Sequence, residues 1–205
     1  YKGSNNVVEP TEVKEAMNNS DVIIIDARSE EEYAKGHLEG AICLNPSSLT
    51  ISEPIKGMLA PKEQVEKVLS EKGISNNSTL YIYDNSGGVY SGRLWWVLKV
   101  YGHDNVKVIN NGQRGLEKAK LPMSLEVPEL APTEYVAKEA DSDMIATMDY
   151  VKTVAENEDS KEKIIDVRSK AEYEEGAIPN AILYPHTKNL YTDGTFKSAR
   201  DTFLF

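Results

Sequence analysis

Short apolar runs alternate with amphipathic stretches along the chain. Val22–Ile25, Leu80–Tyr83 and Val106–Ile109 are strand-sized and bounded by polar or turn-forming residues. Runs of this length, apolar throughout or nearly so, predict buried strands of a parallel sheet. Between them, 61–72 places Val65, Val68 and Leu69 on one helical face and stops at Gly73. The largely apolar stretch 94–101 predicts a second helix closed by Gly102, and Asn111-Gly112 turns into a terminal one. Strand and helix in alternation indicate an α/β fold.

One part of this pattern occurs twice. Ile24-Ile25-Asp26-Ala27-Arg28-Ser29 returns as Ile164-Ile165-Asp166-Val167-Arg168-Ser169, an offset of 140 residues. In the same register Glu32, Tyr33, Gly36, Ala41 and Ile42 return as Glu172, Tyr173, Gly176, Ala181 and Ile182. So long a period marks duplicated domains rather than stacked repeats. Ser29 with Glu32, and Ser169 with Glu172, have the spacing of a capping box, and Gly36 and Gly176 suit helix ends. Ala41–Leu44 and Ala181–Tyr184 predict the next strands. Residues 124–142, rich in Glu, Pro and Ala, read as a linker. The expected division is therefore a first domain over 1–123, a linker over 124–142, and the N-terminal part of a second domain over 143–205.

Composition narrows the function classes. The 205 residues carry a net charge of −10, which argues against a phosphate-backbone partner. No apolar run approaches the roughly 18–20 residues of a membrane helix. The single cysteine, Cys43, excludes a disulfide within these residues. The chain begins at Tyr1, and the polar opening 2–6 reads as a tether left after removal of an upstream segment; a soluble protein is expected, its compartment open.

The chemistry concentrates after the strand 80–83, in Asp84-Asn85-Ser86-Gly87-Gly88-Val89-Tyr90-Ser91-Gly92-Arg93. A glycine-rich loop between a parallel strand and a helix can aim several backbone amides at one point. Such a nest binds anions and lowers the pKa of a thiol placed in it.

Residues 83–122 contain Ser91-x-Arg93-Leu94-Trp95-Trp96, Tyr101-Gly102-His103-Asp104-Asn105-Val106 and Asn111-Gly112. This segment closely resembles the N-terminal domain of two-domain rhodaneses, the thiosulfate and 3-mercaptopyruvate sulfurtransferases. The doubled Asp-x-Arg-Ser-x-x-Glu-Tyr with Gly-x-x-x-x-Ala-Ile resembles that family's other recurring motif. Leu190–Ser198 is similar to the stretch that precedes the catalytic half of its second domain.

The resemblance implies two rhodanese-like domains, each a parallel sheet flanked by helices, the second incomplete over these residues. It also implies a silent first domain and a second one carrying a cysteine at the start of the loop after its fourth strand. Aligned on the strand, Asp84 stands at the nucleophile's position. A carboxylate cannot take up sulfane sulfur and repels thiosulfate, so Asp84 is expected to cap the amides of its own loop, Asn85, Ser86, Gly87 and Gly88. The equivalent loop falls 140 residues further on, past Phe205, so no catalytic residue is expected within the 205 and the chain alone is expected to be inactive. The implied activity moves sulfur from thiosulfate or a similar small anionic donor, through a cysteine persulfide, to cyanide or another thiophilic acceptor. It needs no cofactor or metal. The alternative is a non-catalytic rhodanese-like binding module.

The remaining candidates have structural readings. Cys43 lies in an apolar strand opposite Leu183 of the second copy, which suits a buried core residue. Arg28 and Arg168 could contact substrate, but each stands beside an aspartate and predicts an ion pair. In mammalian-type enzymes the position of Glu172 resembles a substrate-binding arginine, and mercaptopyruvate enzymes tend to place a histidine at the position of Gly57; this chain departs from both. His37, His103 and His186 lack metal-ligand spacing and read as surface or loop residues. Trp95 and Trp96 read as core or interface packing. Phosphatase chemistry on this fold would need an arginine six positions after a cysteine, and that position, counted from Asp84, is Tyr90.

Overall fold

The computed structural model describes residues 4–157, 159–198 and 201. It divides into two compact units, Tyr1–Asp141 and Ser142–Phe205. Tyr1, and Lys2 and Gly3 of the expected tether, lie outside the described residues, as does Phe205. Asn6, assigned to the tether, already joins the sheet: its carbonyl accepts from the Val108 amide at 2.8 Å.

In the first unit the elements run β1 (Val7–Val8), α1 (Pro10–Ala16), β2 (Val22–Asp26), α2 (Glu30–Ala34), β3 (His37–Leu38) and β4 (Ile42–Cys43). There follow β5 (Thr50–Ile51), β6 (Met58–Leu59), α3 (Lys62–Glu71), β7 (Thr79–Tyr83), α4 (Val89–Val100), β8 (Val106–Ile109), α5 (Gly112–Lys118) and β9 (Met123–Ser124). β1, β8, β7, β2 and β4 form a five-stranded sheet in that order, every pair parallel. The sheet is buried between helices: Ile25, Leu80 and Ile82 are fully enclosed, as are Val65 and Leu69 of α3 and Leu94, Val97 and Leu98 of α4.

The sequence and the structure part at three places. α4 starts at Val89, five residues before the predicted helix, because Asp84 and two left-handed glycines cap it early. Residues 125–141, read as a linker, form an extended strap on the first unit instead. Its backbone is held by Thr133 N to Ser70 O (3.0 Å), Lys138 N to Tyr101 O (3.0 Å) and Asp141 N to Val100 O (2.9 Å). Tyr135 and Ala137 are buried there. A strap crosses α3 and α4 too irregularly to leave a hydrophobic period, so composition alone reads it as tether.

The third concerns the histidines. His37 and His103 are both fully enclosed, not at the surface. His37 lies against the Tyr33 ring (3.7 Å between centroids), with Nδ1 and Nε2 at 3.0 and 2.9 Å from the carbonyls of Tyr33 and Glu126. His103 Nε2 meets Ser78 O at 3.0 Å and Nδ1 meets Tyr135 Oη at 3.1 Å. Local hydrogen-bond partners make the burial tolerable, and spacing along the chain does not reveal them. His186 is exposed, as expected.

The second unit contains α6 (Met148–Glu156), β10 (Ile165–Asp166), α7 (Lys170–Glu175) and β11 (Ile182–Leu183). β10 and β11 pair in parallel, Ile165 opposite Ile182 and Asp166 opposite Leu183. In the first unit Ile25 pairs with Ile42 and Asp26 with Cys43. The two registers coincide at the offset of 140, so the sequence repeat is a repeat of strand pairing.

Candidate functional site

The loop after β7 is built around the carboxylate of Asp84, which is buried. Its Oδ1 accepts from the amides of Ser86 (2.9 Å) and Gly88 (3.0 Å). Its Oδ2 accepts from the amide (2.8 Å) and the hydroxyl (3.0 Å) of Ser91. Gly87 (φ 68°) and Gly88 (φ 91°) adopt the left-handed conformation that turns these amides inward. The nest at the start of α4 is therefore filled from within, by an anion the chain itself supplies. The backbone behind it is equally tight. Gln113 N donates to Asp84 O at 2.9 Å, and a Cβ on Gly112 would stand 2.1 Å from that oxygen.

A second buried cluster adjoins the loop. Arg28 grips Asp26 through Nε (2.9 and 3.0 Å) and a terminal nitrogen (2.6 Å), and donates to Gly36 O (2.7 Å) and Gln113 Oε1 (2.7 Å). Tyr83 Oη donates to Asp26 Oδ2 at 2.7 Å and accepts from Leu38 N at 3.0 Å. Burial, reinforced by Asp26, pushes the Tyr83 hydroxyl pKa up, so it acts as a donor to the carboxylate throughout the neutral range. Nothing local in the sequence marks Tyr83 or Gln113 for this role, since both are distant from their partners along the chain.

Asn85 reaches the other way and donates to Glu32 Oε1 at 2.7 Å. Ser29 still caps α2 by accepting from Glu32 N, but the Glu32 carboxylate is drawn to the loop, so the reciprocal capping box expected here is half made. In the second unit Ser169 and Glu172 form it completely. Arg168 pairs with Asp166 through Nε (3.0 and 3.1 Å) and a terminal nitrogen (2.6 Å), and reaches Gly176 O at 2.8 Å, the geometry of Arg28 repeated. The hydrogen bond from Arg168 lowers the Asp166 pKa.

Cys43 lies on the sheet's edge strand β4 and is half-buried rather than enclosed. It borders a shallow cavity of about 440 Å³ with Ser29, Glu30, Asn45, Ser48 and Lys72. Burial, and then the Asp26 carboxylate, push its thiol pKa up, so it is a poor nucleophile at neutral pH. Trp95 and Trp96 are half-buried on α4; the Arg93 guanidinium lies 4.5 Å from the centroid of Trp96. No group of three His, Cys, Asp or Glu suited to a metal ion exists among the described residues. Among them, too, no helix is long and apolar enough to cross a membrane.

The model of the rhodanese-like domain matches this chain twice, over residues 9–119 and 147–203. The chain belongs to the rhodanese-like domain family. The two matched segments fall one within each unit of the fold, so this is a tandem rhodanese-like protein of α/β architecture. It is 32% identical over 182 residues to a putative thiosulfate sulfurtransferase of Mycolicibacterium smegmatis, covering 81% of this chain and 64% of that protein. A putative thiosulfate sulfurtransferase of Saccharopolyspora erythraea is 30% identical over an alignment 210 residues long, covering 94% of this chain and 73% of the relative. Among solved structures, the 3-mercaptopyruvate sulfurtransferase SseA of Escherichia coli superposes with a TM-score of 0.87 at 24% identity, covering 97% of this chain and 81% of that one. That likeness shows the fold. The chain thus spans about two thirds of the length of the mycobacterial relative.

Proposed function

We propose that this chain is the N-terminal part of a sulfurtransferase whose nucleophilic cysteine lies in the loop of the second rhodanese-like domain, beyond residue 205. The observation that carries the reading is the Asp84 carboxylate, locked by four hydrogen bonds into the nest of the first domain. A loop so occupied has no sulfur-accepting atom at its start, and the amides of Ser86, Gly88 and Ser91 are already taken, which leaves the chemistry to the second copy. The sequence relatives are named for thiosulfate, which makes it the favoured donor.

In the reaction envisaged, a cysteine thiolate attacks the outer sulfur of thiosulfate and forms a sulfur–sulfur bond. The bond to the sulfonate sulfur breaks and sulfite departs with its electron pair. Cyanide or a thiolate then attacks the terminal persulfide sulfur, which leaves as thiocyanate or a new persulfide while the cysteine thiolate is regenerated. Loop amides and a helix N-terminus would stabilise the thiolate and orient the donor's oxygens. No metal or cofactor enters this scheme.

The test is thiocyanate formation from thiosulfate and cyanide by a form of the protein extending past residue 205 and containing the second loop. Turnover abolished by replacing that loop's cysteine with serine is the expected result. A full-length form with no cysteine there, or with turnover indifferent to it, would return the protein to the binding-module reading.

A further inference from the structure

The two buried histidines of the first unit meet different kinds of oxygen. His103 Nε2 faces the Ser78 carbonyl, and its Nδ1 faces the Tyr135 hydroxyl, which can donate or accept. A neutral ring with its proton on Nε2 satisfies both. His37 has no such freedom: Nδ1 lies 3.0 Å from the Tyr33 carbonyl and Nε2 lies 2.9 Å from the Glu126 carbonyl. A carbonyl oxygen only accepts, and a neutral imidazole has one N–H to give. The neutral ring therefore sets a lone pair against one of the two oxygens. The imidazolium donates to both, and charge-assisted bonds are the stronger kind.

We propose that His37 is an imidazolium in the folded protein and that its second proton latches the start of the strap to β3 through the Glu126 carbonyl. Loss of that proton as pH rises frees residues 125–127. The inference is independent of the sulfurtransferase reading.

The surroundings suit a buried cation. The fully enclosed ring lies flat on Tyr33, with centroids 3.7 Å apart and planes within 7°, and an aromatic face attracts a cation. Burial pushes the Tyr33 hydroxyl up to about 12, so this platform stays uncharged, and the hydroxyl is engaged at Ala41 O at 2.7 Å. The ionisable groups on the elements around the ring are otherwise occupied or in solvent. Arg28, donating to Gly36 O, is neutralised by Asp26, and Tyr83 meets the Leu38 amide. Lys35 pairs with Glu31 at the surface, and the side chains of Glu39 and Glu126 are exposed. Among the described residues no carboxylate hydrogen-bonds the ring; the two carbonyls hold it.

The strap depends on this contact where it begins. β9 pairs with β3 as far as Ser124, and the next backbone bond from the strap is that of Thr133 to Ser70. Among the described residues, the backbone of 125–132 makes one hydrogen bond to the rest of the unit, the one from His37 to Glu126. The repeat isolates its task. At the offset of 140 Tyr33 returns as Tyr173, and its bond to the Ala41 carbonyl returns as one to Ala181 O (2.8 Å), but His37 returns as Ala177. The motif forms there without the ring, so what the ring adds in the first unit is the hold on the strap.

The test is a pH titration of the isotope-labelled 205-residue chain by NMR. Long-range proton–nitrogen spectra read the protonation of each imidazole nitrogen, and backbone relaxation reads the order of the strap. Both His37 nitrogens should carry protons at the acid end of the folded range. As the ring loses one, the order parameters of Leu125, Glu126 and Val127 should fall from about 0.85 to below about 0.6, while Thr133 and Lys138 stay rigid. His37→Phe keeps a stacked ring and removes both donors, so 125–127 should be mobile at every pH. Three outcomes overturn the proposal: a His37 ring that stays neutral throughout the folded range, a strap whose order ignores the ring's titration, or wild-type order in His37→Phe. Should that variant not fold, the wild-type titration decides alone.

Discussion

Asp84 closes the loop after β7 from within. Its carboxylate takes four donors, three of them amides that would otherwise be open at the start of α4. Asp84→Asn puts an N–H₂ against groups that are themselves donors. It should lower the stability of the first unit by about 2–3 kcal/mol, the cost of losing a buried charged hydrogen bond and stranding its partners. Denaturant unfolding followed by tryptophan fluorescence reads this unit alone, since both tryptophans are on α4. A loss under about 0.5 kcal/mol would mean the carboxylate is not the keystone of the loop. His103 gives a pH signature. Burial lowers its pKa, so the folded state holds it neutral while the unfolded chain binds a proton more readily. Stability contributed by the neutral ring is full above the unfolded pKa of about 6.5 and is lost as pH falls below it. His103→Gln should flatten that acid limb in the same unfolding assay; an unchanged slope would refute the assignment.

At the scale of elements, strand content was legible because it needs only apolar runs and turn residues. Val106–Ile109 emerges with the predicted ends, and β2 and β7 each extend one residue further. The duplicated motif also showed that strands follow at 41–44 and 181–184, and their pairing registers coincide at the same offset. What stayed hidden depends on distant partners: the early start of α4, the half-made capping box at Glu32, and the strap over 125–141. Gly73 and Gly102, legible as helix stops, also leave room for the strap, since a Cβ on either would collide with Leu130 or Lys138. The strap's hold can be measured. Tyr135→Phe removes the hydroxyl that meets His103 and should cost about 1 kcal/mol by the same fluorescence measurement, with the fold intact. No loss would mean that backbone contacts alone fasten the strap.

For the whole molecule, duplication has produced two units with one plan and different degrees of closure. The first has a five-stranded parallel sheet and a loop filled by its own aspartate; the second shows a two-stranded parallel pair with the same Asp–Arg grip. Family, fold and duplication could be read from the sequence because they reside in local motifs. The inertness of Cys43 rested there on a buried strand position, and the half-buried site supports it on a different ground, a thiol held protonated by burial and Asp26. The central claim is that the 205 residues hold no sulfur-accepting site. Intact mass of the purified 205-residue chain after incubation with thiosulfate, read without reductant, tests this most directly. An unchanged mass is expected. A gain of one sulfur atom, absent in Cys43→Ser, would contradict it and make Cys43 the acceptor.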